Sequence, residues 1–417
     1  MIQPERKILI IGYVWPEPVT TAAGGRMLQL VRFFLEHGFR VVFASTAAES
    51  ELSFDLKSLG VHKRNIRLNH SSFDAFISEL KPEIVLFDRF MTEEQFGWRV
   101  ARQLPDTIRI LDTEDLHSLR SARQIAYKKN GPLLPEDWLQ QDITKREIAS
   151  IYRCDLSLII SQYEMDLLKK IVPEVNRLLL HLPMMYPPIG EIERKNWAGF
   201  AEKEDFICIG NGKHLPNIDA IHRLKKEIWP LIHKKLPLCR LWVYGAYLPE
   251  NIKQMHSPKE GFHVMGHAAD SGAVMAKARL NLAPLSFGAG IKGKLLEGML
   301  VGTPSITTDI GAEGIAADKP WNGIIANNSQ EFAAATVQLY GNKVEWERAR
   351  ENGADIINTF YDKRMLDSRL ADALELLRAN LKKYRTGNFI GTMLLHHTMA
   401  STKYMSKWIE AKNSSGL

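Results

Sequence analysis

Short apolar runs recur along the chain, and each is followed by a stretch in which apolar positions return every three or four residues. Ile8–Tyr13 opens the series. From Gly24 to Glu36, Met27, Leu30, Val31 and Phe34 fall on one helical face. Gly38 stops that helix, and Val41-Val42-Phe43-Ala44 begins the next strand. Ile84–Phe87, Ile108–Leu111 and Leu156–Ile160 continue the alternation. A strand with one wet face alternates apolar and polar residues, and these do not. They predict a parallel sheet covered by helices on both faces.

The pattern breaks between about Pro183 and Glu204, where Pro-Met-Met-Tyr-Pro-Pro precedes a charged tract. It resumes at Phe206-Ile207-Cys208-Ile209-Gly210, with a long helix from about Asn217 to Lys235. Strands follow at Leu241–Tyr244, His263–Met265, Leu280–Ala283 and Ser305–Thr307, with helices through about Leu377. The expected organisation is α/β: a Rossmann-like domain over residues 1–185, a linker over 186–204, and a second such domain over 205–380. Residues 381–417 contain Met393-Leu394-Leu395 and Trp408 and form a helical segment. It is read as returning to pack on the first domain, in preference to lying on a partner or a membrane.

Length agrees with two domains, because one core stops growing near ~250–300 residues and the chain has 417. No apolar stretch reaches the ~18 residues of a membrane span. The run Ile8–Ile11 is too short for a secretory signal. The three cysteines, Cys154, Cys208 and Cys239, have no metal-ligand spacing. Free thiols in the cytoplasm are the expectation. The net charge of +6 admits anionic partners such as nucleotide diphosphates or, at the inner membrane face, acidic lipids. The basic residues are scattered and lack interleaved aromatics, so nucleic acid is not expected as a partner.

Ligands of parallel α/β sheets bind beyond the carboxyl ends of the strands. Three loops qualify. In the first, Gly24-Gly25 open a helix with Arg26 in its first turn, an arrangement suited to an anion or simply to a turn. In the second, Asp112, Asp115, His117 and Arg120 follow the strand Ile108–Leu111; the aspartates are also candidate helix caps. The third is Phe287-Gly288-Ala289-Gly290-Ile291-Lys292-Gly293-Lys294-Leu295-Leu296-Glu297. Its lysines stand at a helix start, where cations oppose the helix dipole. A bound anion would relieve that conflict, and a carboxylate one turn further in can grip a diol.

This third segment, with Pro216-Asn217-Ile218-Asp219-Ala220, Gly302-Thr303-Pro304 and Gly311-Ala312-Glu313-Gly314, resembles the retaining glycosyltransferases of the GT-B fold, glycosyltransferase family 4. Gly24-Gly25-Arg26 and Ser161–Glu164 agree with it more weakly. The resemblance implies two doubly wound domains facing a cleft. It implies that Glu297 binds the ribose hydroxyls of the donor nucleotide, that Gly290 and Ile291 offer backbone to its diphosphate, and that Gly25 approaches the phosphate from the other domain. His117 takes the place of the family's histidine that contacts the donor sugar. Two departures stand out. The first glutamate of the family's pair is replaced by Ala289, and its diphosphate-binding Arg and Lys fall near Asn211 and Asn217. Lys292, Lys294, Lys213 and Arg26 are the available substitutes, Lys292 foremost.

The resemblance thus implies a metal-independent hexosyltransferase. A UDP- or GDP-sugar would be its substrate, with no cofactor. The acceptor would be a glycan, a lipid-linked molecule or a protein, and peripheral membrane contact would accompany it. Lys292 and His117 carry the chemistry in this reading. The rivals are a nucleotide-sugar epimerase or hydrolase on the same fold, and a degenerate subunit that binds without turnover.

Overall fold

Ile8, Leu9, Ile10 and Ile11 are all at most 1% exposed. Ile8 and Ile10 enter a core with Leu30 and Phe34, whereas Leu9 and Ile11 enter another with Phe73 and Phe96. The unbroken apolar run therefore reflects a central strand buried on both faces. The computed structural model describes residues 5–414. Strands β1 (Lys7–Gly12), β2 (Arg40–Ser45), β3 (His62–Asn65), β4 (Ile84–Asp88), β5 (Ile108–Asp112), β6 (Leu156–Ile159) and β7 (Leu179–His181) form one sheet. Its order is β3-β2-β1-β4-β5-β6-β7, and every pairing is parallel. Strands β8 (Glu204–Ile209), β9 (Leu241–Tyr244), β10 (Phe262–Gly266), β11 (Ala278–Ala283), β12 (Ser305–Thr307) and β13 (Gly323–Ile325) form the second. Its order is β10-β9-β8-β11-β12-β13, again all parallel. Strand order reverses beside β1 and beside β8, so each sheet opens a crevice at its switch point.

Three strands escaped the sequence pattern. β3 (His-Lys-Arg-Asn), β7 and β13 are short edge strands whose pairing comes from a neighbour rather than from burial. The long helix expected over 217–235 is interrupted. It runs Leu215–Arg223, widens into one π turn at Leu224–Ile228, and resumes as Trp229–Lys235. Pro230 lacks an N–H and crowds the carbonyl four residues before it, which the wider turn accommodates.

The second domain ends earlier than the expected residue 380. The Lys363–Gly387 helix already leaves it, burying Leu366, Leu370, Leu374 and Leu377 in the first domain's core with Leu30 and Phe34. The outgoing and returning chains cross side by side: Tyr186 N–H donates to Tyr361 O, and Lys363 N–H to Tyr186 O, each at 2.8 Å. Arg385 then grips Asp155 with two bonds of 2.7 Å. The last helix, Phe389–Ser414, lies along the Asp142–Arg153 helix. The tail thus returns to the first domain. Among the described residues no helix is long and apolar enough to cross a membrane.

Candidate functional site

Both switch points open into one cleft of about 680 Å³ between the domains. Among the helices that begin at its wall are Ala22–Glu36 from the first domain, and Leu215–Arg223 and, last, Gly293–Leu300 from the second. The first and last nearly touch, since a Cβ on Gly293 would lie 2.5 Å from Ala22 Cβ. Glycine at 293 is what allows two helix starts to meet. Each carries N–H groups without intrahelical partners and a partial positive charge. Their meeting is electrostatically unfavourable until an anion lies between them.

Two ammonium groups add to this field. Lys292 immediately precedes the Gly293–Leu300 helix, is buried, and donates to Gly290 O at 2.8 Å. Burial pushes its pKa down to about 8, against the pull of Glu313, with Arg123 adding to the depression. Lys294 reaches back to Asn217 Oδ1 at 2.7 Å, and burial also lowers its pKa. Asn217 in turn donates to Asn211 O at 3.0 Å. The loop after β8, where the resemblance calls for its own cations, therefore receives one from Lys294. A lysine at 217 would repel it.

Glu297 lines the cleft one turn beyond Lys294. Burial raises its pKa, opposed by a Ser271 hydrogen bond and by Lys294. Ile291 also lines the cleft, and its side chain joins the interdomain apolar cluster with Ile160 and Leu295. Lys213 is exposed at the rim with its ammonium 3.6 Å from the centroid of the Tyr247 ring.

His117 begins the His117–Lys128 helix on the cleft wall. Its pKa is pushed down to about 4 by burial, against the pull of Asp115, with Arg120 and Arg89 adding to the depression. The ring is neutral at pH 7. Nε2 lies 3.3 Å from Asp115 Oδ1. The backbone N–H of His117 and that of Ser118 donate to Glu147, which anchors the helix start.

Three expectations need correction. Arg26 does not face the cleft. It is fully buried and holds Asp112 through Nη2 at 2.9 Å and Pro183 O through Nη1 at 3.1 Å. Gly25 spends its N–H on Thr21 O and does not line the cleft; Gly24 does, and a Cβ there would sit 2.5 Å from the Glu17 carbonyl. Gly290 cannot offer its N–H to a diphosphate, because that group donates to Glu164 Oε1 at 2.8 Å.

That last bond belongs to a seam invisible in the sequence. Glu164 also accepts from Leu116 N–H at 3.1 Å, tying the loop before His117 to the glycine-rich loop. Arg123 forks onto Glu313 with two 2.7 Å bonds, and Tyr247 Oη donates to Glu17 at 3.0 Å. The ends of β4 and β5 contribute Asp88 and Glu114, both buried at the cleft wall. Each keeps one carboxylate oxygen without a hydrogen-bond partner. Burial and Asp112 raise the Glu114 pKa to about 8, despite Arg26 and Arg89. Arg89 and Glu114 hold left-handed backbones, with φ of 71° and 58°. No residue type in the sequence announces that. Their only signal was position at a strand's carboxyl end.

Residues 203–342 match the family described as "Glycosyl transferases group 1". No curated protein sequence matches the chain. Among solved structures, the chain is similar to sucrose-phosphate synthase from Thermosynechococcus elongatus. The TM-score is 0.67 at 15% identity, over 90% of this chain and 100% of that one. It is also similar to HepE of Anabaena in complex with UDP and glucose (TM-score 0.64, 13% identity, 89% and 100% covered). WaaG, a glycosyltransferase involved in lipopolysaccharide biosynthesis, gives a TM-score of 0.58 at 14% identity, with 88% and 99% covered. The fold is GT-B. The family match falls on the second domain, which carries Lys292, Lys294 and Glu297.

Proposed function

We propose that the chain transfers a hexose from a nucleoside diphosphate sugar to a hydroxyl group of a glycan, lipid-linked or protein acceptor, with retention and without a metal. One observation carries the reading. Helix starts from both domains meet at Ala22 and Gly293, and the buried Lys292 and half-buried Lys294 crowd the same wall. A diphosphate neutralises that excess of positive charge.

In this reading the bond from the sugar's anomeric carbon to the diphosphate breaks as the acceptor oxygen bonds on the same face. The acceptor proton passes to the departing phosphate oxygen. Lys292, Lys294 and the helix starts stabilise the charge that develops there. Neutral His117 accepts a hydroxyl of the donor sugar. Glu297 holds the ribose diol. The solved relatives hold UDP and UDP-glucose in HepE, which favours a uridine donor. The cysteines are unpaired, as a reducing cytoplasm would leave them.

Calorimetric titration with UDP, GDP, ADP and dTDP tests the site. One diphosphate should bind selectively. Glu297→Ala should weaken it by about ten- to a hundredfold, the loss of one or two hydrogen bonds to a charged group. Folded protein that binds none of the four refutes the assignment. A second reading is favoured by Ala289, which packs among Leu116 and Leu119 and leaves no carboxylate where the family has one. A binding subunit or a donor hydrolase would then bind nucleotide and fail to transfer across an acceptor panel.

A further inference from the structure

We propose that the outer face of the Phe389–Ser414 helix docks the protein on an anionic lipid surface. The inner face is fixed to the first domain. Ser406 is buried and accepts from Arg99 at 2.8 Å, Asn388 just before the helix donates to Tyr152 O at 2.7 Å, and Glu410 accepts from Ser71 N–H at 2.9 Å. The outer face has no partner among the described residues, yet it is not polar. Phe389 is 73% exposed, Tyr404 65% and Trp408 60%, with Met393 and Met405 also exposed. At ~100° per residue, Phe389, Met393, Tyr404 and Trp408 fall within about 100° of arc, a single stripe along the helix.

Cations share that stripe. Lys403 Nζ lies 5.4 Å from the centroid of the Tyr404 ring and Lys412 Nζ 5.3 Å from that of Trp408. Lys407 is exposed between them, and Lys382 and Lys383 are exposed at the end of the preceding helix. Glu410, the helix's sole carboxylate, is turned inward onto Ser71. Aromatic rings and a thioether with ammonium groups around them match the headgroup boundary of a bilayer, where rings enter the acyl edge and lysines stay with phosphate. A second copy of the chain fits less well, because two such faces would bring like charges together. The inference does not rest on sugar transfer. It concerns a surface away from the cleft.

The test is flotation of the full chain with phosphatidylcholine vesicles, with and without phosphatidylglycerol. The expected result is binding to the anionic vesicles, at least about tenfold weaker binding to the neutral ones, and release by high salt. The double variant Tyr404→Ser, Trp408→Ser should lose about tenfold or more of that binding. Both residues are exposed, so its melting temperature and nucleotide titration should match the parent. Equal binding to both vesicles, no binding, or a double variant that binds as the parent does would each overturn the proposal. So would a parent that is a dimer in solution and a double variant that is a monomer, which would assign the face to a second copy.

Discussion

Lys292→Met is expected to lower turnover by about a hundred- to a thousandfold while leaving the fold as stable as before or more so. The scale is that of removing one preorganised donor from a site where charge develops. The sign on stability follows from burial. Lys292 is 8% exposed and its hydrogen bond runs only to a carbonyl, so folding strips water from an ammonium with incomplete return. A methionine of similar length carries no such cost. A merely structural lysine would give the reverse, a loss of stability with turnover intact. The pH dependence separates the two further. The free protein holds the Lys292 pKa near 8, against 10.5 for the ordinary side chain. Between those values the unfolded chain binds more protons, so stability without ligand rises with pH. A bound diphosphate favours the ammonium, so binding takes up a proton in the same interval. Affinity therefore falls as pH rises above 8, by at most about tenfold per pH unit. Calorimetry and thermal melting over this range should show the two opposite slopes, and both should flatten in Lys292→Met. Full turnover by the variant would remove Lys292 from the chemistry.

The lysines were legible because they violate a local rule. Two cations at a helix start make sense only if something else is bound, and the structure adds a second helix start to the same spot. The central strands were legible for a different reason: burial on both faces leaves them no polar alternation to hide in. Edge strands such as β3 lack that signature, and their pairing became visible only with the neighbour in place. Arg26 shows a misreading with a recoverable cause. Its position in the first helical turn suggested phosphate, but residues 26, 30, 33 and 34 share one face, and the last three are the buried core of that helix. Periodicity placed Arg26 inside. Gly290 is different, because its N–H is taken by a carboxylate 126 residues earlier in the chain. No local pattern encodes that. The same holds for the left-handed backbones at Arg89, Glu114 and Tyr247, which lie at the cleft without a glycine to announce them.

The largest loss of stability is expected at Arg26 itself. Its guanidinium and the Asp112 carboxylate are both 0% exposed, joined by bonds of 2.9, 3.1 and 3.3 Å. Such a pair need not add net stability over apolar residues of the same shape, but removing one member strands the other charge. Arg26→Met leaves Asp112 buried beside Asp88 and Glu114, two acids whose pKa values are already pushed up. The expected cost is about 3–5 kcal/mol, roughly 6–20 °C in melting temperature for a domain of this size. Adding Asp112→Asn should recover a large part of it, because a neutral amide no longer needs a cation. Nucleotide affinity of the folded single variant should stay within about threefold of the parent, since Arg26 does not reach the cleft. Thermal melting and calorimetry on the same preparations decide the matter. A variant that melts like the parent but binds the diphosphate poorly would mean that Arg26 swings out to the ligand. The cleft would then assemble its anion site from both domains only on binding. Unaltered affinity with a large loss of stability would mean that Arg26 holds the first domain together and takes no part in binding the anion.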